Sequence, residues 1–377
     1  MLILIRKISV VLLTISFFTL YSQAANKPEI SASSCVLIDV DTLEILYDKN
    51  PDEVRSMAST TKIMTALIAL ESGKADDVVC VEDKIYIEGT AIGFNEGDKL
   101  TLETLCYAML LESGNDAAVL AACYLAGNEE DFSALMNEKA KAIGMNNTNF
   151  VTASGLDDVN HYTTAYDMAL LGAYAVKNDK FREIVSTKYY TADFVEPQIS
   201  RNFSNHNRLL TLCDGVYGVK TGFTKKSGRC LVSACERNGK NLIVVTLNAP
   251  DDWNDHNKLY DYGYSLYEFR EISLNIPESV KVIGSDKNEI SVVSEYGNLS
   301  VYVKKDKQVQ TKIYIQDYIY APVNKNDFVG WIDISCDGIL LTEISVIAQD
   351  NAEIIKNAIE YKPGLWQRLV NFICQLL

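Results

Sequence analysis

Ser59 and Lys62 stand three residues apart in the run Met57-Ala58-Ser59-Thr60-Thr61-Lys62, just ahead of an apolar stretch that continues to Leu70. On a helix this spacing turns both side chains to one side, so a hydroxyl has an amine within reach. Serine is a weak nucleophile unless a neighbour takes its proton, and a lysine takes it only when desolvation or a second cation lowers its pKa. Amides at a helix start near Ser59 would also stabilise negative charge developing on a tetrahedral intermediate. Alone, the pair is also what a solvated turn looks like.

Two further stretches complete a set. Ser113-Gly114-Asn115 lies between two helical patterns, where a cap residue in an interhelical turn is its plain structural role. Lys220-Thr221-Gly222, followed by Phe223-Thr224, ends a strand pattern, where an ordinary turn would do as well. Taken in order as SxxK, SxN and KTG, the three are far more specific than any one of them. A substrate that ends in a carboxylate needs a cation and a hydroxyl to hold it while the preceding carbonyl faces the nucleophile. Lys220 and Thr221 fit that task, and Gly222 would let a substrate backbone lie close to the strand.

The histidines are three, His161, His206 and His256, so an imidazole base has few candidates. His161 stands outside the catalytic set, because Thr164 and Asp167 behind it are spaced as a helix capping box.

The elements that must position these residues follow from periodicity. Ile63, Ala66, Leu67 and Leu70 keep the spacing of an amphipathic helix, and Leu102 to Leu111 does the same behind Thr101 as N-cap. Cys230 to Arg237 and Asn241 to Asn248 read as strands joined by Asn238-Gly239, a pair suited to a type I′ turn. Val216 to Thr221 supplies a third strand of that antiparallel sheet, and helices around it make an α/β (α+β) first domain over residues 25–270. From 271 to 361 six short strand patterns, Val280 to Ile283, Ile290 to Val293, Leu299 to Val303, Lys312 to Ile315, Val329 to Ser335 and Ile339 to Ile347, predict a small β-sandwich.

Both ends carry their own signals. Arg6 and Lys7, the apolar run Ile8 to Leu20 and Ser22-Gln23-Ala24 read as a signal peptide over residues 1–24, a run short for a membrane-spanning anchor. Its removal takes away two basic and no acidic residues, so the formal net charge of -15 becomes -17. The protein is thus expected to be exported, and so acidic a chain without a basic patch is a poor partner for nucleic acid. Over 362–377, Leu365, Trp366, Leu369, Val370, Phe372, Ile373, Leu376 and Leu377 share one face of a helix suited to lying in a membrane surface. Docking on the protein's own surface is the other use of such a face. Nine cysteines without a CxxC pair support neither a disulfide framework nor a zinc site, and read as small buried hydrophobes. No metal or other cofactor is implied.

On these motifs the sequence resembles the penicillin-binding, serine-active DD-peptidases of the S11 type, particularly the low-molecular-mass DD-carboxypeptidases of bacterial cell-wall metabolism. Further similar stretches are Ser154-Gly155-Leu156, Asn160 to Met168, Asn207 to Leu210, the β-rich second domain and the amphipathic tail. The resemblance implies a penicillin-binding/beta-lactamase-like transpeptidase domain in which Ser59 attacks the D-Ala-D-Ala bond of peptidoglycan stem peptides and releases the last D-alanine. It implies Lys62 as base, Ser113 as proton relay to the leaving amine, and Asn115 as a hydrogen-bond partner for the substrate's amide or side chain. Lys220 and Thr221 would bind the terminal carboxylate, and the backbone amides of Ser59 and Phe223 would form the oxyanion hole. Beta-lactams would acylate Ser59. Some relatives carry histidine after KTG where this chain has Phe223, which bears on substrate choice. DD-endopeptidase action, a beta-lactamase-like hydrolase and a non-enzymatic wall-binding protein are the rival readings. A lactamase would need a deacylating glutamate, and no matching motif stands between Asn115 and Lys220.

Overall fold

The computed structural model describes residues 26–355, so the signal peptide read over 1–24 and the tail helix read over 362–377 lie outside the described residues. These divide into two compact units, 26–235 with 242–265, and 236–241 with 266–355.

In the first unit the chain runs β1 (Ser34–Asp39), β2 (Ile45–Lys49), α1 (Lys62–Glu71), β3 (Val78–Cys80), β4 (Lys99–Thr101), α2 (Leu102–Leu111) and α3 (Asn115–Ala126). It continues through α4 (Glu129–Ile143), α5 (Ala165–Ala175), α6 (Asp179–Ser186), β5 (Tyr189–Asp193), β6 (Ser200–Ser204) and α7 (Leu209–Leu212). Three strands and a helix follow: β7 (Val216–Thr224), β8 (Gly228–Arg237), β9 (Lys240–Leu247) and α8 (Asp252–Ser265). The main sheet has the order β2-β1-β9-β8-β7, which leaves β7, the strand of the KTG motif, at an edge. Asn238 and Gly239 between β8 and β9 both have positive φ, +53° and +73°, as the type I′ turn requires.

Helices cover both faces of this sheet. Gly263 of α8 lies against Leu37 and Leu242, whereas Gly172 of α5 lies against Val232 and Ile243 on the opposite face. The α/β first domain expected from the pattern is therefore present, and its main sheet has five strands where three were expected. β1 escaped notice because it is buried along its whole length, so its sequence shows no alternation to read.

The expected helix α1 is present, and its burial extends beyond the expected apolar face, since Lys62 to Leu67 are buried without interruption. α2 is likewise buried at nearly every position, and Thr101 caps it by accepting from the Thr104 amide at 3.1 Å. That burial places Lys62 where water cannot hydrate its amine.

In the second unit β10 (Tyr267–Ser273), β11 (Ser279–Ile283), β12 (Glu289–Ser294), β13 (Asn298–Lys304), β14 (Val309–Ile315), β15 (Tyr318–Tyr320), β16 (Phe328–Cys336) and β17 (Ile339–Ala348) follow in order. Six form a sheet of order β14-β16-β17-β12-β11-β15, and β10 pairs with β13 in a second, two-stranded sheet. All six expected strands are present. Val280, Ile290, Val301, Val303, Ile332, Ile344 and Val346 meet in one apolar core, with alternate residues of β11 and β12 turned inward.

The cysteines depart in part from their expected role as buried hydrophobes. Cys35, Cys106, Cys213, Cys230 and Cys235 are buried, but Cys80 and Cys123 are exposed.

Candidate active site

Ser59 sits in a single 3-10 turn, Ala58–Thr61, that leads directly into α1. Its neighbour Ala58 has φ +48°, a left-handed conformation that a residue with a Cβ adopts at a cost of about 1–3 kcal/mol. Two features hold it there. Thr61 Oγ1 donates to the Ala58 carbonyl at 2.8 Å, and Gly155, itself at φ +85°, lies so close beneath that a Cβ would collide with the same carbonyl. The Ser154-Gly155-Leu156 stretch is thus the floor under the nucleophile turn.

Lys62 Nζ is 3.1 Å from Ser59 Oγ, 2.7 Å from Asn115 Oδ1 and 2.6 Å from the Ser154 carbonyl. Its side chain has no exposed surface. Burial drives its pKa well below the usual lysine value, the nearby Lys220 cation adds to this, and the Asp116 carboxylate opposes it. The amine is therefore poised to be neutral beside the hydroxyl.

Asn115 begins α3 and is buried. Its Nδ2 donates to the Glu88 carbonyl at 2.6 Å, which turns Oδ1 towards Lys62. Both ends of the amide that had been expected to meet a substrate are thus engaged by the protein itself. Its neighbour Asp116 accepts from the Ile92 and Gly93 amides at 2.9 and 2.8 Å, tying the 82–98 loop to α3. Ser113 precedes them at φ +65°, half-buried, and faces the same cleft as Ser59.

The third motif comes from edge strand β7. A Cβ on Gly222 would stand 3.1 Å from the amide nitrogens of both Ser59 and Thr60. The protein's own nucleophile turn thus already lies close against this glycine. Lys220 is 1% exposed, donates from Nζ to the Thr221 carbonyl at 2.9 Å, and is brought down to about 7 by burial. Thr221 is half-buried and Phe223 is 65% exposed.

A cleft of about 310 Å³ joins these pieces. Ser59, Ser113, Thr221, Gly222 and Phe223 line it, together with Thr90, His206, Arg229, Asp252 and Trp253. Of the residues singled out from sequence, Lys62, Asn115 and Lys220 are not among its lining residues. Lys62 and Asn115 stand behind Ser59, joined through the amine.

Residues 21–251 match the D-alanyl-D-alanine carboxypeptidase family, Peptidase S11, and residues 264–353 match the C-terminal domain of penicillin-binding protein 5. The chain belongs to the D-alanyl-D-alanine carboxypeptidase family. It is 32% identical over 335 residues to the D-alanyl-D-alanine carboxypeptidase DacF of Bacillus subtilis, covering 85% of each chain. To DacC of Escherichia coli it is 31% identical over 353 residues, 88% of this chain and 86% of the relative. Among solved structures, the carboxypeptidase DacD from Francisella tularensis superposes with a TM-score of 0.62 at 27% identity, covering 88% of this chain and 95% of that one. Penicillin-binding protein D2 from Listeria monocytogenes, in an ampicillin-bound form, gives 0.58 at 30% identity over 63% of this chain and 100% of that one.

Within this carboxypeptidase-family site, the sequence reading left several residues without a role, and His161, which it set outside the catalytic set, is one. Its Nδ1 accepts from the Val151 amide at 3.0 Å, so Nε2 carries the proton and donates to Thr61 Oγ1 at 2.8 Å. Burial brings its pKa down to about 4, so it stays neutral, and with both ring nitrogens engaged it is a buttress two hydrogen bonds behind Ala58. The capping role foreseen for its segment is present as well, since Thr164 Oγ1 accepts from the Asp167 amide at 3.1 Å. His206 was left aside too, yet it lines the cleft and pairs with Glu112 at 3.2 Å. Arg229, Asp252 and Trp253 carried no motif at all, and only the register of β7 on β8 brings Arg229 opposite Phe223.

Proposed function

We propose that the protein is a serine-type, penicillin-binding D-Ala-D-Ala carboxypeptidase that trims the last D-alanine from peptidoglycan stem peptides through an acyl-enzyme on Ser59. The observation that carries this is the desolvated Lys62 amine 3.1 Å from the Ser59 hydroxyl, in a cleft bordered by the KTG strand. Ser59 Oγ attacks the carbonyl carbon of the penultimate D-alanine and passes its proton to neutral Lys62. The backbone amides of Ser59 and Phe223 receive the oxyanion. The C–N bond then breaks, Ser113 relays a proton to the leaving amine, and free D-alanine departs. Water adds to the Ser59 ester, the amine again taking a proton, and the shortened peptide leaves. Thr221, with Lys220 behind it, forms the binding edge for the substrate's terminus, and Asn115 orients Lys62.

Beta-lactams acylate the same hydroxyl on this reading. The residues 1–24 support export, and the apolar face over 363–377 supports attachment at the outer side of the cytoplasmic membrane. Mass spectrometry of a penicillin adduct tests the centre of the proposal. The adduct maps to the peptide containing Ser59 and is lost in Ser59→Ala, with D-alanine release lost in parallel. Labelling that survives the substitution overturns it, and protein that cleaves cross-linked peptides without releasing free D-alanine favours the endopeptidase reading.

A further inference from the structure

We propose that Arg201, which lies outside the cleft, is a positioning residue for the base: together with Asp116 it clamps the 88–93 loop, and that loop fixes the Asn115 amide that orients Lys62. The inference rests on the carboxypeptidase reading and extends its machinery to a strand that belongs to none of the three motifs.

One end of the loop holds Asn115. The Glu88 carbonyl accepts from Asn115 Nδ2 at 2.6 Å, and the Thr90 carbonyl accepts from the Asn115 backbone amide at 2.8 Å. Two loop carbonyls thus fix one residue through its side chain and its main chain, and Oδ1 is left to meet Lys62 Nζ at 2.7 Å. The fit leaves little slack. A Cβ on Gly89 would stand 3.0 Å from Asn115 Nδ2, and one on Gly114 would stand 2.7 Å from Ile92 Cγ1. In packing this close, a shift of the loop is passed directly to the amide.

The loop has no regular structure of its own to resist such a shift. Residues 84–95 form neither helix nor strand, and Glu88 to Ala91 are exposed. Side chains from two other elements supply the restraint. From α3, Asp116 accepts from the Ile92 and Gly93 amides at 2.9 and 2.8 Å. From β6, Arg201 Nη1 donates to the carbonyls of the same two residues, at 3.2 Å to Ile92 and 3.4 Å to Gly93. Two consecutive residues are therefore held by their amides and by their carbonyls at once.

Arg201 is itself fixed in place. Its guanidinium lies 4.9 Å from the centre of the Phe194 ring, and its Nη2 is 3.8 Å from the Asp98 carboxylate, both of these residues being buried. A planar guanidinium can rest on an aromatic face and still donate from its edge, which suits it to this task. Arg201 is not among the residues that line the cleft, so its influence on the chemistry passes through the loop.

Acylation of Ser59 by penicillin, followed by mass spectrometry over a range of concentrations, separates the saturating rate from the Kd of the initial complex. Arg201→Met keeps a long side chain against Phe194 and removes the donors. Its saturating rate falls about 10-fold with Kd held, part of the roughly 100-fold that a 1 Å displacement of a reacting group costs. Arg201→Lys, which keeps a charged donor, recovers part of that rate, and hydrogen exchange of the peptide covering 88–93 is faster in Arg201→Met than in wild type. The comparison that separates positioning from plain stability is made on Asn115→Ala. With the amide gone, adding Arg201→Met changes the rate by less than about twofold, whereas a merely structural arginine costs the same factor in both backgrounds. Thermal melting accompanies each measurement, and if Arg201→Met melts too low for use, Arg201→Gln in the same two backgrounds gives the same comparison. An unchanged saturating rate, a loss that falls on Kd, unchanged exchange over 88–93, or an equal loss in the Asn115→Ala background each overturns the proposal. Wild-type protein that forms no adduct on Ser59 overturns the carboxypeptidase reading together with this one, whereas a normal wild-type adduct with any of those four results removes this inference alone.

Discussion

Lys62 Nζ has three neighbours at hydrogen-bond distance, and Ser59 Oγ is the one of the three that can donate as well as accept. The Asn115 amide oxygen and the Ser154 carbonyl accept only, so they occupy the two N–H groups of a neutral amine. Its lone pair is then left for the serine proton. The same three partners would accept all three protons of an ammonium, but burial and the Lys220 charge disfavour that form.

This geometry predicts the outcome of Lys62→Arg. A guanidinium cannot be deprotonated in a protein, so it has no lone pair to offer. Covalent labelling by penicillin should slow by about 100- to 10,000-fold, the usual contribution of a positioned base. Quenched-flow mass spectrometry reads the rate. Labelling within tenfold of wild type would remove Lys62 from the role of base.

The coupling of the two lysines gives a second expectation, for pH. The Lys220 cation pushes the Lys62 pKa down, and Lys220 holds its charge on the acid side of about 7. Lys220→Gln removes that push, so the Lys62 pKa rises and the acid limb of the acylation profile moves to higher pH. Amplitude changes from lost binding do not move the limb. A limb that stays in place, or moves to lower pH, would show that the two amines do not interact.

How far the sequence reaches into this site depends on whether a feature is local. The SxxK spacing and the Asn238-Gly239 turn are local, and both stand where the pattern put them. The depression of the Lys62 pKa is not local: Ile63 to Leu70 reads equally well as a surface helix, and only packing against other helices makes α1 a core element. β1 was invisible for a related reason, a strand buried on both faces having no period of two. Arg229 lies one residue before the strand pattern that begins at Cys230, and its partners Asp252 and Trp253 belong to the start of another element. No spacing encodes that meeting, which register alone creates.

His161 supports the nucleophile turn as a neutral group, and this too has a pH signature. Burial holds its pKa at about 4 against 6.5 in the unfolded chain. The unfolded chain therefore takes up a proton first as pH falls. The residue's stabilisation is complete above pH 6.5 and is lost progressively towards pH 4, by up to about 1.4 kcal/mol per pH unit. Urea midpoints across this window should fall more steeply in wild type than in His161→Gln. Parallel slopes would mean that His161 takes up its proton without cost to the fold.

Gly155→Ala tests whether the floor beneath Ala58 sets the position of Ser59. The new Cβ would overlap the Ala58 carbonyl and stand 2.7 Å from Thr61 Oγ1, both of them parts of the turn that carries the nucleophile. Gly155 also has φ +85°, so alanine there is strained even without a collision. Gly144→Ala separates the two effects. Gly144 ends α4 at φ +96°, but its nearest neighbour is Leu170 Cδ1 at 4.0 Å, so substitution there brings the conformational strain without the clash. Both variants should melt at lower temperature, Gly144→Ala by an amount corresponding to about 1 kcal/mol. Only Gly155→Ala should also lose penicillin acylation, by about 100-fold, because a displacement of roughly 1 Å at a reacting atom is enough for that. If Gly155→Ala acylates at the wild-type rate, the Ser59 turn is held by something other than this contact.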